Sequence, residues 1–138
     1  MASNPIPLIF IDQAAGAIAG HRIGNGEQMR FASAQGGAKA NQQGFSWYVK
    51  VYGSVQDASG SAVATLQLQD SPDNVTYTTR ATIVLTTPAA APFNAAICNG
   101  NGTLFKTQKR YFRVNLVTLT GGTTPIVNSW GTVGGYGA

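Results

Sequence analysis

From Phe45 onward the chain alternates. Phe45, Trp47, Val49 and Val51 share one phase and Ser46, Tyr48, Lys50 and Tyr52 the other, the period of a strand with one buried and one wetted face. Trp47 is the expected core anchor. After a loop over 56–61, Ala64, Leu66 and Leu68 alternate with Val63, Thr65, Gln67 and Gln69. Asp70-Ser71-Pro72-Asp73-Asn74 then offers turn chemistry, and a second alternating strand is predicted from Val75 to Leu85, which makes an antiparallel hairpin. Pro88 and Pro92 end pairing, because proline has no amide hydrogen for a ladder. A short strand is predicted at Thr103–Phe105. A long one follows at Tyr111–Leu119 with Phe112, Val114 and Leu116 inward, then a turn at Gly121-Gly122 and a last strand from Ile126 through Trp130 to Val133.

The first third reads differently. Residues 5–11 form a short apolar run interrupted by Pro5 and Pro7, a candidate edge strand or arm. From Gln13 to Gly44 the chain is rich in Ala, Gly, Gln and Asn and holds neither period. Too few large apolar side chains are present there to offset the entropy of ordering. The expectation is an extended limb over residues 1–44 that orders against a partner, with a helix between Asp12 and Ile18 as the alternative. Residues 45–138 are expected to form an all-β, antiparallel β-sandwich of jelly-roll-like type, since short strands at regular spacing with Gly, Pro and Asn between them suit that architecture.

Composition narrows the function classes. Charged residues make up only 10% of the 138, against about 25% in soluble domains, so Gly, Ala, Ser, Thr, Asn and Gln must cover much of the surface. A surface of that kind suits a protein packed in an assembly. The net charge of +4 rests on nine cations, of which Lys106, Lys109, Arg110 and Arg113 cluster. That cluster reads as a solvated strand entrance or as a patch for an acidic protein surface, and is too thin for a phosphate-tracking groove. Cys98 stands alone and is expected to be a small buried side chain. The first residues lack a basic segment followed by an apolar core, and no apolar run is long enough to span a bilayer, so synthesis in the cytoplasm and no membrane insertion are expected.

Chemistry is scarce. One histidine (His21), one cysteine and five carboxylates leave little from which to build a nucleophilic or metal site. Asp70 and Asp73 flank the hairpin turn and could face a hard cation, but no third ligand has useful spacing, and turn aspartates ordinarily bond their own backbone. The Gly-rich segments at 24–26 and 36–37 lack the phosphate-loop and dinucleotide patterns. The expectation is no enzyme, no cofactor, no metal and no nucleic acid.

The segments Thr65–Tyr77, with its Ser-Pro-Asp-Asn turn, and Lys109–Thr118, followed by Gly121-Gly122 and the strand to Val133, resemble the capsid cement, or decoration, proteins of short-tailed bacteriophages. The resemblance covers roughly Phe45 to Val133. It implies a virion protein on the outer capsid surface, present as a dimer or trimer, that clamps neighbouring copies of the major capsid protein. On that reading Ile6, Leu8, Phe10 and Ile18 are expected to touch the capsid, with Lys106, Lys109 and Arg110 as an electrostatic contact. The alternative is a phage tail or adsorption sandwich that binds glycans on a shallow aromatic platform, for which Tyr48, Tyr52 and Trp130 are the candidates; their other reading is ordinary packing on a sheet face.

Overall fold

Each alternating segment of the sequence forms a strand, and the strands pair as one long hairpin folded back on itself. The computed structural model describes residues 6–20, 23–24, 45–58, 60–87, 95–107, 109 and 111–137. Its strands are β1 (Ile6–Ala14), β2 (Ile18–Ala19), β3 (Ile23–Gly24), β4 (Phe45–Asp57), β5 (Val63–Ser71), β6 (Thr78–Thr86), β7 (Ala95–Cys98), β8 (Thr103–Thr107), β9 (Tyr111–Thr120) and β10 (Ile126–Gly137). No helix occurs among the described residues, and β1 occupies part of the span where one was the alternative.

All pairings are antiparallel. β5 pairs with β6, β4 with β7 and β8, β2 and β3 with β9, and β1 with β10. Two sheets result, one ordered β1-β10-β4-β7 with β8 also on β4, the other β2-β9-β5-β6 with β3 also on β9. Taking β2 with β3 and β7 with β8 as interrupted single strands, the first half of the chain pairs with the second in reverse order. That is the jelly-roll form of the β-sandwich. Asn99 bridges the break between β7 and β8: its Nδ2 donates to Val51 O at 3.2 Å, its Oδ1 accepts from Gly53 N, and its own N–H donates to Gly53 O at 3.2 Å.

The interior is filled by the inward phases of both sheets. Val49, Val51, Ala64, Leu66, Leu68, Phe112, Val114 and Leu116 are buried, as the alternation predicts, and Val55, Val127 and Val133 are buried with them; the side chains of Phe45 and Trp47, the expected anchor, lie outside the described residues. Phe10 packs edge-on against Phe112 with centroids 5.7 Å apart, and Phe105 lies 5.0 Å from Phe112 on its other contact, so three rings close the seam between the sheets. Gly131, inward on β10 beside Phe10, is required there, since any Cβ would collide with the carbonyl oxygen of Lys50. The β9–β10 turn uses Gly121 and Gly122 at φ 74° and 69°, a region that side chains disfavour. The buried Asp57 holds this turn to the end of β4, its Oδ1 accepting from Thr123 N at 2.9 Å and Thr124 N at 2.8 Å.

Three expectations change. β1 lies at the sheet edge, as one reading of the apolar run allowed, but Phe10 is 2% exposed and belongs to the core rather than to a capsid contact. A register shift between Ile9 and Ile11 makes this possible, because the extra residue lets Phe10 and Ile11 both face inward, against a strict period of 2. The described parts of the expected limb, β1, β2 and β3, are thus strands of the sandwich; residues 25–44 lie outside the described residues. Cys98, expected to be buried, is exposed, because its neighbour Ile97 takes the inward phase of β7.

The second strand of the hairpin starts at Thr78 rather than Val75, which is 82% exposed. Side chains claim the intervening amides. Asp73 Oδ1 accepts from Val75 N and Thr76 N, both at 2.9 Å, while Ser71 Oγ accepts from Asn74 N at 2.9 Å and donates to Asp73 Oδ1 at 3.0 Å. Below the turn, buried Asp70 joins three strands in two sheets, accepting from Arg80 Nε at 3.0 Å and from Thr107 Oγ1 at 2.8 Å.

Phe10→Ala is expected to lower the unfolding free energy by about 3–5 kcal/mol, the usual cost of truncating a core phenylalanine, when measured by urea denaturation. A loss below about 1 kcal/mol, the scale of an exposed position, would contradict this placement.

Candidate functional site

The outward face of the β1-β10-β4-β8 sheet carries large side chains that its sequence phase sends away from the core. Register places Ile9 beside Trp130 and Trp130 beside Tyr52, one row across three strands. Trp130 and Tyr52 stack with centroids 6.0 Å apart and ring planes 7° from parallel. Trp130 is 37% exposed and Ile9 64%. In the next row Lys50 faces Leu104, which is 64% exposed, and beyond it Tyr48 faces Lys106. Each lysine leans over a ring, Lys50 Nζ at 6.0 Å from the Tyr52 centroid and Lys106 Nζ at 5.7 Å from that of Tyr48, at the outer range of cation–π attraction.

Beside Trp130 the surface dips. A groove of about 400 Å³ is lined by Ile9, Ile11, Asp12, Ser54, Asn128, Ser129 and Trp130. A second depression of about 290 Å³, lined in part by Gln13, Gln56 and Thr124, shares Asn128 with it. Asn128 Oδ1 accepts from Gln13 N at 2.8 Å, which fixes the amide and leaves its Nδ2 as the donor available to a ligand. Ser129 Oγ, by contrast, is spent on Tyr52 O at 2.8 Å.

The other sheet presents a different surface. Its outward residues are chiefly hydroxyls and amides, among them Thr65, Gln67, Thr82 and Asn115. Gln69 Nε2 donates to Thr79 Oγ1 at 3.0 Å, and Arg113 Nε donates to Gln69 Oε1 at 2.8 Å with its guanidinium 3.9 Å from the Tyr77 ring centroid. At the edge of this sheet β6 runs nine residues without Pro or Lys, with a register shift at Arg80, Val84 60% exposed and no strand on its outer side among the described residues. In the other sheet the edge strand β1 is protected by Pro7, two register shifts and Gln13 at φ 49°.

The residues proposed from sequence as capsid contacts do not form one patch. Ile6 pairs with Val133, and its side chain lies outside the described residues. Leu8 is half-buried against the core and Phe10 is within it. Ile18 is exposed on β2, in the other sheet. Lys106 is on the aromatic face, Lys109 sits in the bend after β8 with its N–H donating to Thr107 Oγ1 at 2.9 Å, and Arg110 and His21 lie outside the described residues. The basic cluster is divided between the sheets, because Arg113 belongs to β9 and Lys106 to β8. Tyr48, Tyr52 and Trp130 do share one outward face, as the platform reading requires. The sequence reading missed Asp12, Ser54 and Asn128; the signal was their outward phase next to Trp130, legible only once register is known.

Asp70 and Asp73 are accounted for by the turn and its buried anchor. Among the described residues no group of three or more His, Cys, Asp or Glu is placed to hold a metal ion.

No protein-family model matches this chain, and no curated protein matches it. Among solved structures, the crystal structure of SPBc2 prophage-derived protein YomS aligns over 96% of this chain and 95% of its own, with 14% sequence identity and a TM-score of 0.41. At that level of likeness nothing about function transfers.

The amides of Thr76 and Val75, followed by the Ser71 hydroxyl, hold the exposed Asp73 carboxyl below its ordinary pKa of 3.8. A depressed carboxylate stabilises the folded form above its unfolded pKa, and that contribution is lost as pH falls through the folded value. Carbon-detected NMR titration is expected to give Asp73 a midpoint below 3.8. A midpoint at or above that value would mean the turn is not closed in solution.

Proposed function

We propose that the protein is a non-catalytic structural component of a phage virion, a cement or decoration protein that binds the outer surface of an assembled capsid and ties neighbouring major capsid subunits together. The observation that carries this reading is the edge of β6 from Ala81 to Thr86, which pairs regularly with β5 and has no strand on its outer side among the described residues. Proteins ordinarily blunt such an edge with proline, lysine or a bulge, because unpaired N–H and C=O groups recruit strands from other chains; β6 has neither proline nor lysine, and its one register shift lies at Arg80, before this stretch. An edge left open is suited to accept an extended segment of a partner by main-chain hydrogen bonding, with Val84 supplying apolar contact. The low charge of the chain supports the same reading, since little desolvation of ions opposes docking. Self-association into dimers or trimers would multiply weak contacts over a symmetric shell.

A second reading, a tail or adsorption sandwich that binds glycans, draws on the Trp130–Tyr52 stack. The two are compatible: attachment through β6 would leave the aromatic face of the other sheet to solvent.

Cosedimentation with intact heads of the parent phage is expected to show saturable binding, absent with unassembled coat protein. Val84→Lys, which places a charge on the open edge, is expected to weaken that binding by about tenfold or more, ~1.4 kcal/mol. No sedimentation of the wild-type chain with heads would overturn the cement reading; binding unchanged by Val84→Lys would overturn the role of β6.

A further inference from the structure

We infer that the groove beside Trp130 is a binding site for a neutral carbohydrate chain, with Trp130 as the stacking surface and Asp12, Ser54 and Asn128 as the hydrogen-bonding groups. This deepens the glycan-binding reading and is independent of attachment through β6.

A sugar ring has an apolar face of C–H groups and an equator of hydroxyls that both donate and accept. The groove matches both. Trp130 lines it while Tyr52, stacked on Trp130, does not, so Tyr52 supports the indole and the groove receives the indole's other side. The electron-rich face of an aromatic ring attracts the positive ends of C–H bonds. Ile9 closes the apolar flank from β1. Polar groups of three kinds stand around this surface. The Asp12 carboxylate only accepts, the Asn128 Nδ2 only donates once its Oδ1 is held by Gln13 N, and the Ser54 hydroxyl can do either.

The chemistry also selects against other ligands. Asp12 is the charged residue of the lining, so a phosphate, sulfate or uronate would meet like charge, while Lys50 and Lys106 lean over Tyr52 and Tyr48 instead of lining the groove. A purely apolar ligand would leave the polar groups desolvated and unpaired. Two ends of the site are fixed by strand pairing, because Asn128 faces Ser54 and Trp130 faces Tyr52 in the β10–β4 ladder. The volume, about 400 Å³, is at the small end of ligand sites, and the second depression of about 290 Å³ that shares Asn128 continues it along β10. A chain of sugars, rather than a single one, follows that line.

The test is affinity electrophoresis of the full chain toward the cathode in native gels cast with soluble dextran, mannan, galactan or glycol chitin, and with dextran sulfate as the polyanion. Retardation by at least one neutral polymer is expected. Trp130→Ala and, separately, Asp12→Ala are expected to weaken it by about tenfold each, with the Val84→Lys protein retarded like wild type. Asp12 is exposed, so its variant keeps the test valid even where Trp130→Ala disturbs the sheet. No retardation in any neutral gel, or retardation that neither variant reduces, would overturn the inference. Retardation by dextran sulfate alone would overturn it as well, while leaving a lysine-borne glycan contact standing. Shell binding is measured separately, so its failure would not be mistaken for this one.

Discussion

The ladder between β4 and β10 is the constraint on which the rest of the structure depends. It runs in register from Gln56 against Ile126 to Phe45 against Gly137, joining parts of the chain far apart in sequence. β1 is held by β10, and β7 and β8 by β4, so one whole sheet hangs on this pair. Its register also sets which side chains are inward. Slipping it by one residue would turn Val127 and Val133 out and Trp130 in, exchanging the core face for the outward one. Gly131 secures that register from within, since a Cβ there would run into the Lys50 carbonyl on β4 and crowd the Phe10 ring on β1.

The second sheet is fastened to the first by different means. Phe10, Phe112 and Phe105 form the apolar seam, and the Asp70–Thr107 hydrogen bond crosses between the sheets at the end where the hairpin turn projects. Asp70 also holds Arg80 on β6, so a buried carboxylate fixes the strand that carries the open edge. Such a group is costly to bury and is tolerated because its oxygens are occupied.

The sandwich has two unlike surfaces. One sheet turns aromatic rings, aliphatic residues and lysines outward, and the other turns hydroxyls and amides outward. The edge strand β1 carries proline and two register shifts, whereas β6 has neither proline nor lysine, a single register shift at Arg80 and no strand outside it among the described residues. The difference between the two faces arises from side chains on the solvent phase, where folding places little demand.

The alternation of 45–52, 63–69 and 111–119 was enough to determine an all-β sandwich and to name most of its core, because period 2 with one wet face has few other solutions. The Asp-Ser-Pro-Asp-Asn turn was legible too, although how far Asp73 and Ser71 would withdraw amides from the ladder was not. Tertiary structure alone decided the rest. Phe10 and Ile11 share the core through an irregularity in pairing that no local period encodes. The short pieces β2, β3 and β7 are strands only because β9 and β4 offer ladders to them. The grouping of Ile9, Asp12, Ser54, Asn128 and Trp130 is set by inter-strand register, and register is a property of distant segments meeting, not of any one segment's sequence.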